Sequence, residues 1–236
     1  LPCMIFLDLA DTNIRQNFDA PYIGFCFIIT LISIVVIWFF AAKLMPDKSM
    51  VGAFVQGSYR SSAAILGVAF IQNIYGTSGM APLMIIGSVP LYNIFAVIIL
   101  TFTSSDADKK GIRKACIGVL TNPIIIGIVL GMIASFFNIK FPGMVKKTIS
   151  NMGVMTSPLA LISIGATFRG REALAKIKPT LGASFIKLIG LAAVFMPLAI
   201  YMGFRDQKLI ALLIMLASPC TPASYIMAKN MDRRKI

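Results

Sequence analysis

The chain has 236 residues, of which 58% are hydrophobic and only 13% charged, with a mean hydropathy of +0.85. A soluble domain of this size would carry roughly twice that charge fraction, so the composition reads as an all-α polytopic membrane protein. The formal charge of +13 would suggest nucleic acid in a soluble protein; here the bases fall in short loops between apolar runs, the pattern of membrane orientation. No histidine is present, which excludes His-based catalysis, His metal sites and His proton relays.

Residues 1–10 are too short to span a bilayer and read as the end of a helix whose start is missing. A polar loop follows, and residues 21–44 form a clear spanning helix closed by Lys43, Pro46 and Lys48. Residues 53–75 are apolar overall but carry Gln56, Gly57, Ser58, Tyr59, Arg60, Ser61 and Ser62 in their first half. Residues 80–102 span despite Pro90 and Asn93, and 103–115 make a polar, basic loop. Residues 116–137 span next, with Asn122-Pro123 near their start, and 138–150 suit a short amphipathic segment at the interface. Residues 151–168 span, 169–178 are a basic loop, and 179–203 span with Lys187 inside. Residues 209–228 are long enough to cross, but Pro219 and Pro222 interrupt them. The expectation is seven spans and one partial one, in a fragment lacking its first and last helices.

The interruption at Ser218-Pro219-Cys220-Thr221-Pro222-Ala223-Ser224 organises the rest. Two prolines remove two backbone N–H donors and break the helical ladder. A carbonyl freed in hydrocarbon is tolerated only where protein, water or a ligand satisfies it. The polar run around Arg60 is the matching interruption in the first half. Pro2 to Ser61 is 59 residues and Pro158 to Pro219 is 61, with one spanning helix between the landmarks each time. An odd number of helices separates the copies, so they run in opposite directions. That predicts an inverted repeat, residues 1–102 and 116–236 joined by the loop 103–115, with a broken helix in each half. Alternate loops hold 14 and 6 Lys and Arg, which puts the richer side, including the chain end, in the cytoplasm.

The segments Gly57-Ser58-Tyr59-Arg60-Ser61-Ser62 with Gly67 and Tyr75-Gly76, Pro90-Leu91-Tyr92-Asn93, Asn122-Pro123 with Gly127 and Gly131, Ser157-Pro158-Leu159-Ala160 with Gly165, and Ala217-Ser218-Pro219 through Met227-Ala228-Lys229 occur in the order of the auxin efflux carrier family, which the chain resembles along its whole length. Bacterial members include carriers for malonate, malate and other organic anions. The resemblance implies ten helices in two inverted five-helix repeats, with the fourth and ninth unwound and crossing near the midplane. The family commonly has Asn where Ser62 stands and Pro where Ala69 stands. The missing proline suggests a less sharply broken helix here.

An anion carrier needs polar groups that replace the water shell of a carboxylate at mid-depth. Arg60 is the strongest candidate, since a guanidinium binds a carboxylate through two parallel hydrogen bonds; the alternative is that it snorkels to the headgroups. Ser61, Ser62, Ser218, Pro219, Cys220, Thr221 and Ser224 surround the two breaks, with Asn93 and Asn122 as further candidates. Each Ser or Thr could equally bond its own backbone. Lys187 and Asp8 are candidates for coupling or charge: Lys187 needs a partner, a wet crevice or a lipid edge, and Asp8 suits the outer end of its helix. Gly127, Gly131 and Gly165 suit close helix contacts. Cys3, Cys26, Cys116 and Cys220 are scattered in or beside apolar runs, as small buried residues and neither a disulfide set nor a metal site. No phosphate-binding loop, zinc-protease motif or nucleophile elbow is present, and no cofactor is implied.

These readings converge on a non-enzymatic secondary transporter of a small organic anion, a mono- or dicarboxylate, working by alternating access as a multi-pass protein of the plasma membrane. Its partners are the substrate and the lipid bilayer, not nucleic acid; proton or sodium coupling and a homodimer stay open. The alternatives are a sodium-coupled symporter of related fold and a non-transporting membrane receptor.

Overall fold

The computed structural model describes residues 2–11, 19–63, 67–76, 80–103, 123–155, 158–159, 162, 165–166, 170, 176–221 and 224. Every regular element among them is helical. Helix α1 is Pro2–Ala10 and α2 is Ala20–Leu44. A short 3₁₀ turn, Lys48–Met50, leads into α3, Val51–Tyr59. Then come α4, Val68–Tyr75, and α5, Ala81–Thr103. Helices α6, Pro123–Phe136, and α7, Gly143–Val154, follow. Helix α8, Ile177–Phe185, runs through a π turn, Ile186–Gly190, into α9, Leu191–Tyr201. The last is α10, Asp206–Ala217.

Three stretches among the described residues are long and apolar enough to cross a bilayer: Ala20–Leu44, Leu83–Leu100 and Ile177–Tyr201. Helix α2 shows why. At 1.5 Å per residue its 25 residues exceed the ~30 Å hydrocarbon core. Tyr22, Phe25, Cys26, Ile29, Ser33, Ile37 and Ala41 are buried, at three- and four-residue steps. Phe27, Ile28, Val35, Val36, Phe39 and Phe40 on the other side are exposed. A helix apolar all round with one face packed presents the rest to lipid. Asp19 caps its start, its carboxylate accepting from the Tyr22 amide at 3.1 Å. Pro21 sits in the first turn, where no N–H is needed, and an extended Met45 followed by Pro46 ends the helix.

Two packed groups make up the described part. Helix α1 lies against α6 and α7, at close range: a Cβ on Gly127 would come 2.9 Å from the Pro2 carbonyl, and one on Gly131 2.8 Å from that of Phe6. Helices α2, α3, α4, α5, α8, the π turn, α9 and α10 form the other group, with α5 reaching to α6 and α1. Gly203, at φ +85°, closes α9: Phe204 N donates to the Ala199 carbonyl and Gly203 N to that of Ile200, both at 3.1 Å. This turn seats Phe204 on the rings of Tyr22 and Phe25, at 5.5 and 5.1 Å, and turns the chain back into α10.

Three expectations change. The boundary placed between residues 150 and 151 falls inside α7, which continues to Val154. No breaker stands there, and the chain meets its next proline only at Pro158. Gly165 is exposed with nothing within 4 Å of a would-be Cβ, so it serves no close helix contact among the described residues. Ala69 lies within α4; the interruption falls earlier, at residues 60–62, and is complete without a proline. Of the expected polar loop 103–115 only Thr103 is described, as the last residue of α5; the rest of it, Cys116, Asn122, most of residues 156–175 and residues 225–236 lie outside the described residues.

Candidate functional site

Helix α3 stops at Tyr59 because Arg60 turns extended, at φ −71° and ψ 132°. Helix α10 stops at Ala217 in the same way, with Ser218 at φ −85° and ψ 151°. A helix end leaves carbonyls without intrahelical donors, and here the two ends serve each other. Ser62 N donates to the Pro219 carbonyl at 3.0 Å. The hydroxyls of Ser61 and Ser218 are 2.6 Å apart, and Ser61 Oγ also lies 3.5 Å from the Ile214 carbonyl. The two interruptions therefore meet in space as two short non-helical stretches lined with hydroxyls.

Arg60 spans this junction. It is 3% exposed. Its Nη2 donates to Asn93 Oδ1 at 2.7 Å and its Nε to Thr221 Oγ1 at 3.2 Å. The asparagine is held in turn, donating from Nδ2 to the Val89 carbonyl at 2.9 Å, one residue before Pro90 in α5. The guanidinium thus links the first break to the second and to α5, and does not snorkel.

Lys187 does something the sequence left open. The π turn brings it inward, 2% exposed, and its ammonium donates to the carbonyls of Tyr59 at 3.2 Å and Met215 at 3.0 Å. The reason is local. The helical partner of the Met215 carbonyl would be the N–H of residue 219, which is proline and has none. The Tyr59 carbonyl, last in α3, has left the helical ladder as well. Each helix C-terminus carries about half a negative charge, so two of them match about one ammonium. The lipid-edge placement is therefore not where the structure puts Lys187.

Next to that ammonium is a cavity with room for about one water, lined by Thr30, Ser33, Tyr59, Tyr92 and Met215 among others. Tyr59 Oη donates to the Tyr92 carbonyl at 3.3 Å. Gln56, on α3 four residues before Arg60, is 1% exposed, and neither polar atom of its amide has a hydrogen-bond partner among the described residues. Sequence reasoning passed over Tyr59, Tyr92 and Gln56 as site residues. Two signals were present: all three sit in the polar or motif-bearing runs, and Gln56 is one helical turn from Arg60. Thr30 and Ser33 had a weaker one, as hydroxyls three apart on an otherwise apolar helix.

The remaining candidates are scattered in their burial. Pro219 and Cys220 are exposed, Thr221 is half-buried, and Ser224 is buried with its hydroxyl donating to the Thr221 carbonyl. Asp8 lies on α1, in the other packed group; its side chain and all of Asn122 lie outside the described residues. Asp19 and Lys208 form a second polar link, an ion pair between the start of α2 and the first turn of α10. Tyr22 Oη reinforces it by donating to the Lys208 carbonyl at 3.1 Å. Hydrogen bonding from Lys208, the largest influence, holds the Asp19 carboxyl below its ordinary value of 3.8, against a smaller upward push from burial.

Compared with known families, residues 1–235 match the one described as membrane transport protein. No curated protein matches the chain.

Proposed function

The chain belongs to the membrane transport protein family, that of the auxin efflux carriers, and from that premise we propose that it is a secondary carrier of a small organic anion, with the meeting point of the two broken helices as its substrate site. The family is one of transporters and not of enzymes, and the protein performs no chemistry on its cargo. Residues 1–102 and 116–236 act as inverted repeats about the loop 103–115 in a multi-pass protein of the plasma membrane.

One observation carries the substrate class: a buried guanidinium, Arg60, placed where two non-helical stretches bring hydroxyls and backbone together. A cation inside a membrane run costs at least a few kcal/mol and is held where it has work to do. Arg60 supplies the planar donor pair that a carboxylate accepts. Thr221 and Asn93 hold it in place, and Ser61, Ser62 and Ser218 offer hydroxyls or amides to the remaining oxygens. Exposed Pro219 and Cys220 mark the open side, from which a ligand reaches Thr221 and then Arg60. Neutral substrates gain nothing from this arrangement.

The test is ligand-induced thermal stabilisation of the purified protein across a panel of mono- and dicarboxylates. Binding to the folded state raises Tm by mass action. One carboxylate should shift Tm, and Arg60→Ala should weaken its binding about 10- to 100-fold, the loss of a charge-assisted hydrogen bond of roughly 1.5–3 kcal/mol. A shift that survives Arg60→Ala removes this residue from the site. No shift with any carboxylate at millimolar concentration overturns the anion assignment.

A further inference from the structure

Lys187 occupies a place that is chemically a small-cation site. Two backbone carbonyls, those of Tyr59 and Met215, converge on one point at 3.2 and 3.0 Å. Both belong to the last turns of helices, whose negative ends face each other across it. The adjoining water-sized cavity adds the Thr30 and Ser33 positions and the two tyrosines. Converging carbonyls at half-helix C-termini are the groups that hold a coupling sodium in other carriers with broken helices. Here the positive charge is part of the chain. The described ion pairs, Lys146–Asp11 and Lys208–Asp19, lie elsewhere, and the ammonium contacts carbonyl oxygens, as a bound alkali cation would.

We propose that Lys187 is a tethered cation filling a monovalent-cation site, so that the protein needs no sodium at this point, and that truncating the side chain uncovers a site for sodium or another small cation. An ammonium and an alkali ion satisfy the same two requirements: donors or charge for carbonyls that Pro219 and the break at residue 60 leave unpaired, and neutralisation of two helix ends. Removing the four-carbon stem enlarges the neighbouring cavity from one water to a space that holds an ion with its remaining waters. The inference rests on the crossing being part of the carrier's working site, but its test uses no organic anion. Failure of the carboxylate reading and failure of this one are therefore separate results.

The experiment compares wild type and Lys187→Ala, purified without organic anions, in sodium, potassium, ethylammonium or choline chloride at equal ionic strength. Wild type should have the same Tm in sodium and choline. Lys187→Ala should melt lower in choline and recover at least about 2 °C in sodium or ethylammonium, because a ligand held by the folded state alone raises Tm. Ethylammonium carries the missing group back as a free molecule, which separates a need for positive charge from a need for packing. If Lys187→Ala does not fold, recovery of Lys187→Ser extracted in sodium against choline is the readout. Sodium-dependent recovery supports the proposal; equal loss in both overturns it. Stabilisation of wild type by sodium over choline, or a folded Lys187→Ala protein indifferent to all four cations, overturns it too.

Discussion

Asp19 illustrates how much a single polar residue does at the rim of an apolar helix. It caps α2 through the Tyr22 amide and pairs with Lys208 at the head of α10, so it fixes where two helices begin relative to each other. Its folded-state carboxyl titrates below the ordinary 3.8. The stabilisation is thus fully present above that value and is lost as pH falls through the lowered one. Asp19→Asn keeps an acceptor for Tyr22 but loses the charge, and should lower Tm by about 1–3 °C near neutral pH, as a partly exposed ion pair is worth about 1 kcal/mol at most. The difference from wild type should shrink as pH drops toward 3. Asp19→Ala, which also removes the cap, should cost about 1 kcal/mol more. Thermal melts across pH check both. Arg60 and Lys187 obey the same logic at depth: each polar group is placed against a named deficit of the backbone or a partner side chain.

At the level of helices, sequence spacing located the described spans Ala20–Leu44, Leu83–Leu100 and Ile177–Tyr201 but not the contacts between helices. Glycines at four-residue spacing in Gly127 and Gly131 were read as a close-contact stripe, and α1 does lie against them. A Cβ on Gly165, of the same type and in a similar motif, would meet nothing within 4 Å among the described residues. A missing side chain shows that a close approach is allowed; whether a neighbour uses it depends on the partner helix. Gly131→Ala should therefore destabilise by about 1–3 kcal/mol, since its Cβ would press on backbone. Gly165→Ala should be neutral or raise stability by up to about 1 kcal/mol through helix propensity. Parallel denaturation of the two variants distinguishes these outcomes. The first break teaches the same lesson. A proline would have marked it in the sequence, yet the interruption is made without one, at residues 60–62, by contacts to Pro219 and Ser218 that lie more than 150 positions away.

For the molecule as a whole, the bonds across the crossing constrain how it moves. Ser62 to Pro219, Ser61 to Ser218, Arg60 to Thr221 and the forked contact of Lys187 all join the two broken helices. Separating them in a medium of low dielectric would strand each buried polar group at a cost of roughly 1–3 kcal/mol. In the carrier cycle proposed above, the broken helices would therefore travel together, and the relative motion would fall between this group and the one built on α1, α6 and α7. Ser61→Cys with Ser218→Cys, and Cys220→Ser to remove the nearby thiol, should weaken ligand binding because two site hydroxyls are lost, but the transport that remains should be the same in the reduced protein and after oxidation joins the two cysteines. Arrest by the cross-link would mean instead that the two breaks part during the cycle.

The membrane class and the two interruptions were written into the chain at short range. Apolar runs of bilayer length, a basic bias in alternate loops and two matched interruptions are local patterns, and each has a direct physical reading in hydrocarbon, where an unsatisfied backbone group is too costly to leave. The partner of each interruption was not local. That Pro219 needs a substitute donor follows from its ring alone; that Lys187 provides it, through a π turn in another helix, depends on three helices meeting at one point. Packing in three dimensions decides such meetings, and no spacing along the chain encodes them.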